Sequence, residues 1–371
     1  MASFILYQNA DQSVTLLDIP GSIEAAQGFE GDEQRRCLFS SPPTEKPYPK
    51  LTDKAAKLDT SSIQDLLLQG YQHFALEEIR GAYGASWCLP RTIRNEGIVD
   101  ERKQCALNSR EERVVSPPDG RHYSAAQSPY LHAETACDVF YNWRGATHSL
   151  EMGSQETTVY VPPQTIFILG DIENTLPTFL ATAPRFDIVI MDPPWPNRSA
   201  RRKKSYSISY NKRTISALLS SIPLNDHLND NGLVGIWVTN KPAFHDLVLG
   251  QAGLFEQWGL ELVEEWIWLK VTLSGHPVCS LDSTWKKPYE ILLLGRNAGP
   301  NRNSPGDIKR RVIVGVSDLH SRKPNLKVLL EPLLPRKYEA LEIFARNLTA
   351  GWWAWGNEVL KFQDEKCWAE R

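Results

Sequence analysis

From Thr165 to Arg346, short apolar runs rich in β-branched and aromatic residues alternate with stretches of helical spacing. TIFILG, FDIVIM, GLVGIWVTN, LELVEEWIWLKV, YEILLLG, RRVIVGV and ALEIFAR read as strands, and AFHDLVLGQAGLFEQWG and NLKVLLEPLL as helices. This alternation predicts an α/β domain built on a mostly parallel sheet, beginning near Glu156 and occupying 157–371. Upstream, Ile63, Leu66, Leu67, Tyr71, Phe74 and Ile79 fall near one face of a helix over 61–81, with Thr60, Ser61 or Ser62 as its cap. Residues 91–115 are densely charged with both signs and read as an exposed helix or connection. Ser116-Pro117-Pro118-Asp119-Gly120 breaks the chain, and CDVFYNWRGATHSLEM predicts a hairpin turning near Arg144-Gly145. The expected organisation is therefore a helical and irregular N-terminal domain (1–115), a hairpin-containing middle segment (116–156) and the α/β domain.

Composition changes this picture little. A net charge of −3 supplies no overall field for a polyanion, so nucleic-acid binding requires a local basic patch. Cys37, Cys88, Cys105, Cys137, Cys279 and Cys367 are scattered without zinc-ligand spacing, as expected of reduced thiols, and no metal site is expected. The N-terminus lacks the basic start and apolar run of a signal peptide, and no apolar stretch approaches the ~20 residues a bilayer requires.

FDIVIM stops at two prolines. Proline cannot donate to a sheet ladder, so the strand must end near Asp192. Ligands of open α/β sheets bind outside the carboxyl ends of strands, where Asp192, Pro193, Pro194 and Trp195 are thereby placed. A carboxylate and a backbone carbonyl can accept both hydrogens of an exocyclic amino group, localising a lone pair otherwise delocalised into the ring. Here the Pro193 carbonyl is the expected acceptor. An aromatic face stacked on the base contributes roughly 1–3 kcal/mol. A proline-rich turn, with Asp as turn former and Trp as packing, is the structural alternative. A chain of this length holds such a tetrapeptide by chance on the order of one time in a thousand.

D-P-P-W after such a strand resembles the catalytic motif of the adenine N6-methyltransferase superfamily that includes the messenger-RNA adenosine methyltransferases. YVPPQTIFILGDIEN, DPPWPNRS, WVTNK, KKPYEILLLGR, LHSRKP and LEIFARNLTAGWWAWGNEVLKFQ are similar to its methyltransferase-like four branch, over about 157–363. No G-x-G-x-x-G is present, so the methyl donor, S-adenosylmethionine, enters through the resemblance alone. The resemblance implies a Rossmann-like methyltransferase domain with circularly permuted motif order, preceded by a mixed α+β N-terminal region. It implies that Asp171 and Ile172 contact the cofactor's adenine, Asp192 its amine and Lys323 its carboxylate, with Glu342, Phe344, Arg346, Asn357 and Glu358 lining the ribose and adenine side. Ala345 departs from relatives that often carry Gly there. Bland alternatives stand beside these roles: Asp171 as an ordinary strand-end Asp, Glu342 and Arg346 as a solvated charge pair, and Trp352, Trp353 and Trp355 as core aromatics.

Directly after the loop, Asn197, Arg198, Arg201, Arg202, Lys203 and Lys204, with Tyr206 and Tyr210 interleaved, form a basic aromatic run suited to phosphates and bases. A solvated loop or localisation signal would have the same composition. Lys286 and Lys287 are candidates for the phosphate backbone, Glu290 for orienting the acceptor base, and Lys270 is a further candidate. The family branch implies N6-methylation of internal 2′-O-methyladenosine in a small nuclear RNA. The nucleus is the expected place of action, with the cytoplasm as the alternative, and neither membrane association nor an obligate protein partner is expected. N6-methylation of DNA uses the same amino group and stays open. A catalytically silent nucleic-acid-binding subunit is a third reading, against which the intact D-P-P-W argues.

Overall fold

The computed structural model describes residues 3–29, 36–49, 63–94, 131–133, 139–142, 146–152, 155–196, 212–283, 286–297, 307–319 and 322–370. In chain order these form β1 (Ile5–Gln8), β2 (Val14–Leu17), α1 (Ile19–Ala25), β3 (Arg36–Leu38), α2 (Ile63–Ala82), β4 (Leu131–Ala133), β5 (Val139–Asn142), β6 (Ala146–Met152), β7 (Gln155–Val161), β8 (Thr165–Leu169), α3 (Ile172–Thr182), β9 (Phe186–Met191) and α4 (Lys212–Ser220). There follow β10 (Leu228–Val238), α5 (Pro242–Leu249), β11 (Leu260–Val271), β12 (Tyr289–Asn297), β13 (Lys309–Val316), β14 (Ala340–Ile343) and β15 (Trp353–Gly356). The fold is mixed α/β. Among the described residues no helix is long and apolar enough to cross a membrane.

The chain divides into two compact units, Met1–Ile93 with Asp230–Lys337 and Ala369–Arg371, and Arg94–Asn229 with Tyr338–Trp368. In the first, the strand order is β1-β2-β13-β11-β12-β10. β2 and β11 run parallel to β13, and the remaining neighbours are antiparallel. Leu16, Leu17, Trp266, Ile267 and Val314 are fully enclosed. α2 packs on β2 and β13 through Leu68, Ala75, Leu76 and Ile79.

This inverts the face expected of that helix. Of the six residues that suggested its apolar side only Ile79 is buried; Ile63, Leu66, Leu67, Tyr71 and Phe74 are exposed. The helix carries apolar residues on two opposite sides, and periodicity alone does not say which side meets a sheet.

In the second unit β9, β14, β15 and β8 are all parallel, in that order, and β5 and β4 extend the sheet antiparallel. Phe140, Val159, Val161, Phe167, Leu348, Ala354 and Val359 form one core. α3 packs its Phe179 flat against Trp355, with ring centroids 4.1 Å apart and planes 5° from parallel. The expected hairpin at Arg144-Gly145 is not formed. β5 pairs with β4 and β8, whereas β6 pairs with β7 from Ala146↔Val161 to Met152↔Gln155, so the reversal follows Met152. Both segments alternate well enough to be strands, and alternation alone does not say which neighbour each pairs with.

Candidate active site

β9 ends at Met191, as its prolines require. Met191, Ile343, Trp355 and Ile168 lie side by side across the four parallel strands of the second unit. The next residues along those strands are Asp192, Phe344, Gly356 and Leu169. Four carboxyl ends thus deliver Asp192, Phe344, Asn357 and Asp171 to one edge of one sheet, where open α/β sheets bind ligands.

The backbone at this edge is specialised. Phe344 has φ of 60°, a left-handed conformation uncommon for a non-glycine residue, while its N–H donates to the Trp355 carbonyl at 2.8 Å. Gly356 has φ of 148°, and a Cβ there would lie 3.2 Å from the Phe344 Cα. These two strand ends approach closely because one of them lacks a side chain.

In the D-P-P-W tetrapeptide, Pro193 is buried and Asp192 half-buried. The Trp195 N–H donates to the Pro193 carbonyl at 2.7 Å, closing a three-residue turn. That carbonyl therefore uses one lone pair to shape the loop and has a second for another donor. Trp195 is only 8% exposed, so most of its ring is packing that fixes the loop.

Glu342 lies opposite Ile190 in the β14–β9 register, on the side of the sheet to which Asp192, two residues on, also belongs. Burial pushes its carboxyl up to about 8; the Asp192 carboxylate adds to the shift and Arg346 opposes it. Arg346 does not pair with Glu342. Its Nε donates to Glu358 Oε2 at 2.9 Å, and Lys361 Nζ to Glu358 Oε1 at 2.7 Å. Burial disfavours ionisation of Glu358, but these two cations outweigh it and hold the carboxyl below its usual range. Asp171 caps α3, accepting the Glu173 N–H at 3.1 Å, and Ile172 is buried. Asn357 is exposed. Trp352, Trp353 and Trp355 are buried, the last donating to Thr175 Oγ1 at 2.8 Å, so all three are core aromatics.

The remaining described candidates belong to the first unit. Glu290 lies between two lysines, accepting from Lys323 Nζ at 2.6 Å and from Lys270 Nζ. Burial works against its ionisation, yet Lys323 and Lys270 hold it well below the carboxylate range. Lys270 sits 4.4 Å from the Trp268 ring centroid, and Lys323 5.2 Å from that of Trp237. Both tryptophans escaped sequence reasoning. Their signal was register: Trp268 is directly opposite Glu290. Lys286 lies over the Tyr48 ring at 4.1 Å, and Lys287 is 3.7 Å from Asp65. Asn197, Arg198, Arg201, Arg202, Lys203, Lys204, Tyr206 and Tyr210 lie outside the described residues.

S-adenosylmethionine carries sulfonium and ammonium cations, a carboxylate, a ribose diol and an adenine. The strand-end edge fits such a molecule. Asp171, Asp192 and Glu342 are acceptors for cations and hydroxyls, Asn357 presents an exposed amide, and an arriving cation would stabilise a Glu342 carboxylate that burial now disfavours.

The MT-A70 family matches residues 186–358. The chain is 38% identical over 394 residues to the N6-methyladenosine RNA methyltransferase MTA1 of Pyricularia oryzae, covering 99% of this chain and 97% of that protein. It is 40% identical over 213 residues to the human N(6)-adenine-specific methyltransferase METTL4, covering 55% of this chain and 43% of that one. A Caenorhabditis elegans DNA N6-methyl methyltransferase is 30% identical over 214 residues, 57% of this chain and 56% of its own. MT-A70 methyltransferases in general use S-adenosylmethionine. With its acidic loop at the carboxyl end of β9 and its near-full-length likeness to MTA1, this chain belongs to the MT-A70 methyltransferase family, in its METTL4-like branch.

Proposed function

We propose that this protein methylates the N6 amino group of adenosine in RNA, with internal 2′-O-methyladenosine of a small nuclear RNA as its substrate and the nucleus as its place of action. The observation that carries the reading is the convergence, within one unit, of Asp192, Phe344, Asn357 and Asp171 on the carboxyl edge of four parallel strands. The likeness to an RNA methyltransferase over nearly the whole of both chains supports the choice of polymer. The motif order, with the cofactor-side segments Glu342–Arg346 and Asn357–Glu358 C-terminal to the catalytic loop, supports a circularly permuted Rossmann-like domain.

When bound, S-adenosylmethionine supplies an electrophilic methyl group. The chain's own residues do the rest. The Asp192 carboxylate and the Pro193 carbonyl each accept a hydrogen bond from one N–H of the amino group, which draws the nitrogen towards tetrahedral geometry, localises its lone pair out of conjugation with the ring and aims it. The proton that the methylated nitrogen sheds leaves along the Asp192 hydrogen bond to solvent. Trp195 fixes the loop that makes this possible. Asp171 and Asn357 would hold the adenosyl moiety of S-adenosylmethionine at the strand-end edge of the second unit.

A second reading, N6-methylation of DNA, is favoured by the Caenorhabditis elegans relative. Methyl transfer from labelled S-adenosylmethionine to matched RNA and DNA oligonucleotides, with and without a 2′-O-methyl on the target adenosine, separates the two. The proposal expects the 2′-O-methylated RNA to be the best acceptor. Preferred transfer to DNA would establish the second reading instead.

The basic run is expected to hold the polymer. Each phosphate neutralised contributes a slope of about −0.7 in log affinity against log salt for single strands. Replacing Arg201, Arg202, Lys203 and Lys204 with Ala should flatten that slope by roughly 1–3 units in a salt titration. Tyr206→Ala should weaken binding without flattening it, because stacking releases no counterions. An unchanged slope in the quadruple variant would move the RNA-binding surface to other residues.

A further inference from the structure

Asp171 and Asn357 follow neighbouring parallel strands of the second unit, β8 and β15, and two links join the strand ends that carry them. The first continues the ladder: the Gly170 N–H donates to the Gly356 carbonyl at 3.1 Å. The second runs through side chains. Trp355 Nε1 donates to Thr175 Oγ1 at 2.8 Å, and Thr175 Oγ1 donates to the Asp171 carbonyl at 2.7 Å. The Thr175 N–H reaches the same carbonyl at 2.9 Å. Trp355 is fully enclosed and Thr175 is buried. The Thr175 methyl group lies over Gly170, where an added Cβ would come within 2.5 Å of it.

Each group can play only one part in this relay. An indole N–H donates and never accepts. The hydroxyl that receives it has its single proton left for a carbonyl, and the Asp171 carbonyl, accepting twice, has both lone pairs engaged. A threonine hydroxyl near the start of a helix otherwise divides between two rotamers, and the indole settles the choice. Phe179, stacked on Trp355 with centroids 4.1 Å apart, holds the indole itself. The backbone of Asp171 is thus anchored inward, while its carboxylate stays at the sheet edge with Oδ1 on the Glu173 N–H. Apolar side chains of the same shape in place of the indole N–H and the hydroxyl would be nearly as stable. They would not set the spacing of two strand ends, because that takes a directional bond.

We propose that Thr175 and Trp355 are positioning residues whose relay sets the spacing of Asp171 and Asn357, and through it the affinity for the adenosyl moiety of S-adenosylmethionine. This rests on the reading that those two residues hold that moiety, and it lies wholly within the second unit.

The test combines calorimetry with thermal melts. Thr175→Val leaves the buried Trp355 N–H unpaired and should melt lower. Trp355→Phe combined with Thr175→Val removes both partners and should regain most of the lost melting temperature. Affinity should not return with it. Both proteins should bind S-adenosylhomocysteine and 5′-methylthioadenosine, which share the adenosyl moiety, about three- to tenfold more weakly than the unaltered chain, the range of one neutral hydrogen bond. Thr175→Ser, which keeps the hydroxyl, should bind both ligands normally. The loss should vanish in an Asp171→Ser background, where the helix keeps a capping oxygen but the carboxylate is withdrawn. Thr175→Ala carries the same affinity predictions if Thr175→Val does not fold. The positioning role is overturned by affinity that recovers together with the melting temperature, by a loss confined to S-adenosylhomocysteine, by an equal loss in Thr175→Ser, or by a loss that persists in the Asp171→Ser background. Unchanged binding of both ligands by Asp171→Ser alone would instead show that the reading of Asp171 is wrong, and the proposal would fall with it.

Discussion

An Asp192→Ala protein is expected to fold normally and to lose methyl transfer by a factor on the order of a thousand or more. Asp192 lies beyond the last residue of β9 and is only half-buried, so its removal leaves the strand's packing intact. What disappears is the acceptor that turns the amino nitrogen. An amino group conjugated with the ring is a poor nucleophile, and a second acceptor alone cannot localise its lone pair. Asp192→Asn should be nearly as impaired, because an amide keeps one acceptor oxygen but loses the charge that makes the bond strong. Trp195→Ala should be severely impaired by another route, since it removes the packing that holds the loop closed. Single-turnover kinetics with the melting temperature measured in parallel test these statements. A folded Asp192→Ala protein with near-normal turnover would be incompatible with the proposed chemistry.

The second large effect concerns Glu342. Its carboxyl, pushed up to about 8 by burial and by the Asp192 carboxylate beside it, holds a proton at neutral pH. If it faces a cationic ligand, binding must release that proton, so affinity for S-adenosylmethionine should rise up to tenfold per pH unit from pH 6 towards 8 and level off above. Glu342→Gln should bind more weakly at pH 8 and lose this dependence. The ligand's own amino group titrates against both proteins and cancels in the comparison. Folding shows the opposite sign. The folded chain holds the proton more tightly than the unfolded one between about 4.5 and 8, so stability falls as pH rises through that window. Glu342→Gln should flatten the decline in melting temperature. Superimposable pH profiles for the two proteins would show that Glu342 does not titrate in this range.

The strands were legible because each is a short apolar run bounded by breakers, and β11 spans Leu260–Val271 as its twelve-residue pattern predicts. The end of β9 was legible because two prolines cannot sit in a parallel ladder. α2 was legible as a helix but not in orientation, since Leu68 and Leu76 on one side compete with Leu66 and Phe74 on the other. β15 hid in the tryptophans of WWAWG, whose aromatic character marks a core without naming its geometry. Pairings across the chain left no local trace. β2 joins β13 through Val14↔Val312, and Arg91, which sits in a stretch that reads as exposed charge, is buried against Asp318. The site's loop, by contrast, carries its chemistry in consecutive residues, and consecutive residues are what a sequence displays most directly.

The central claim is that Asp192 and the strand ends around it direct a methyl group to the N6 nitrogen of adenosine. The measurement that meets it head-on is nucleoside analysis of RNA incubated with the protein and S-adenosylmethionine labelled in the methyl group, digested and resolved by mass spectrometry. The account predicts label in N6-methylated adenosine or its 2′-O-methyl derivative, formed one for one with S-adenosylhomocysteine and absent with Asp192→Ala. Label on another nitrogen, on a ribose oxygen or on a different base, or N6 label undiminished by Asp192→Ala, would contradict it.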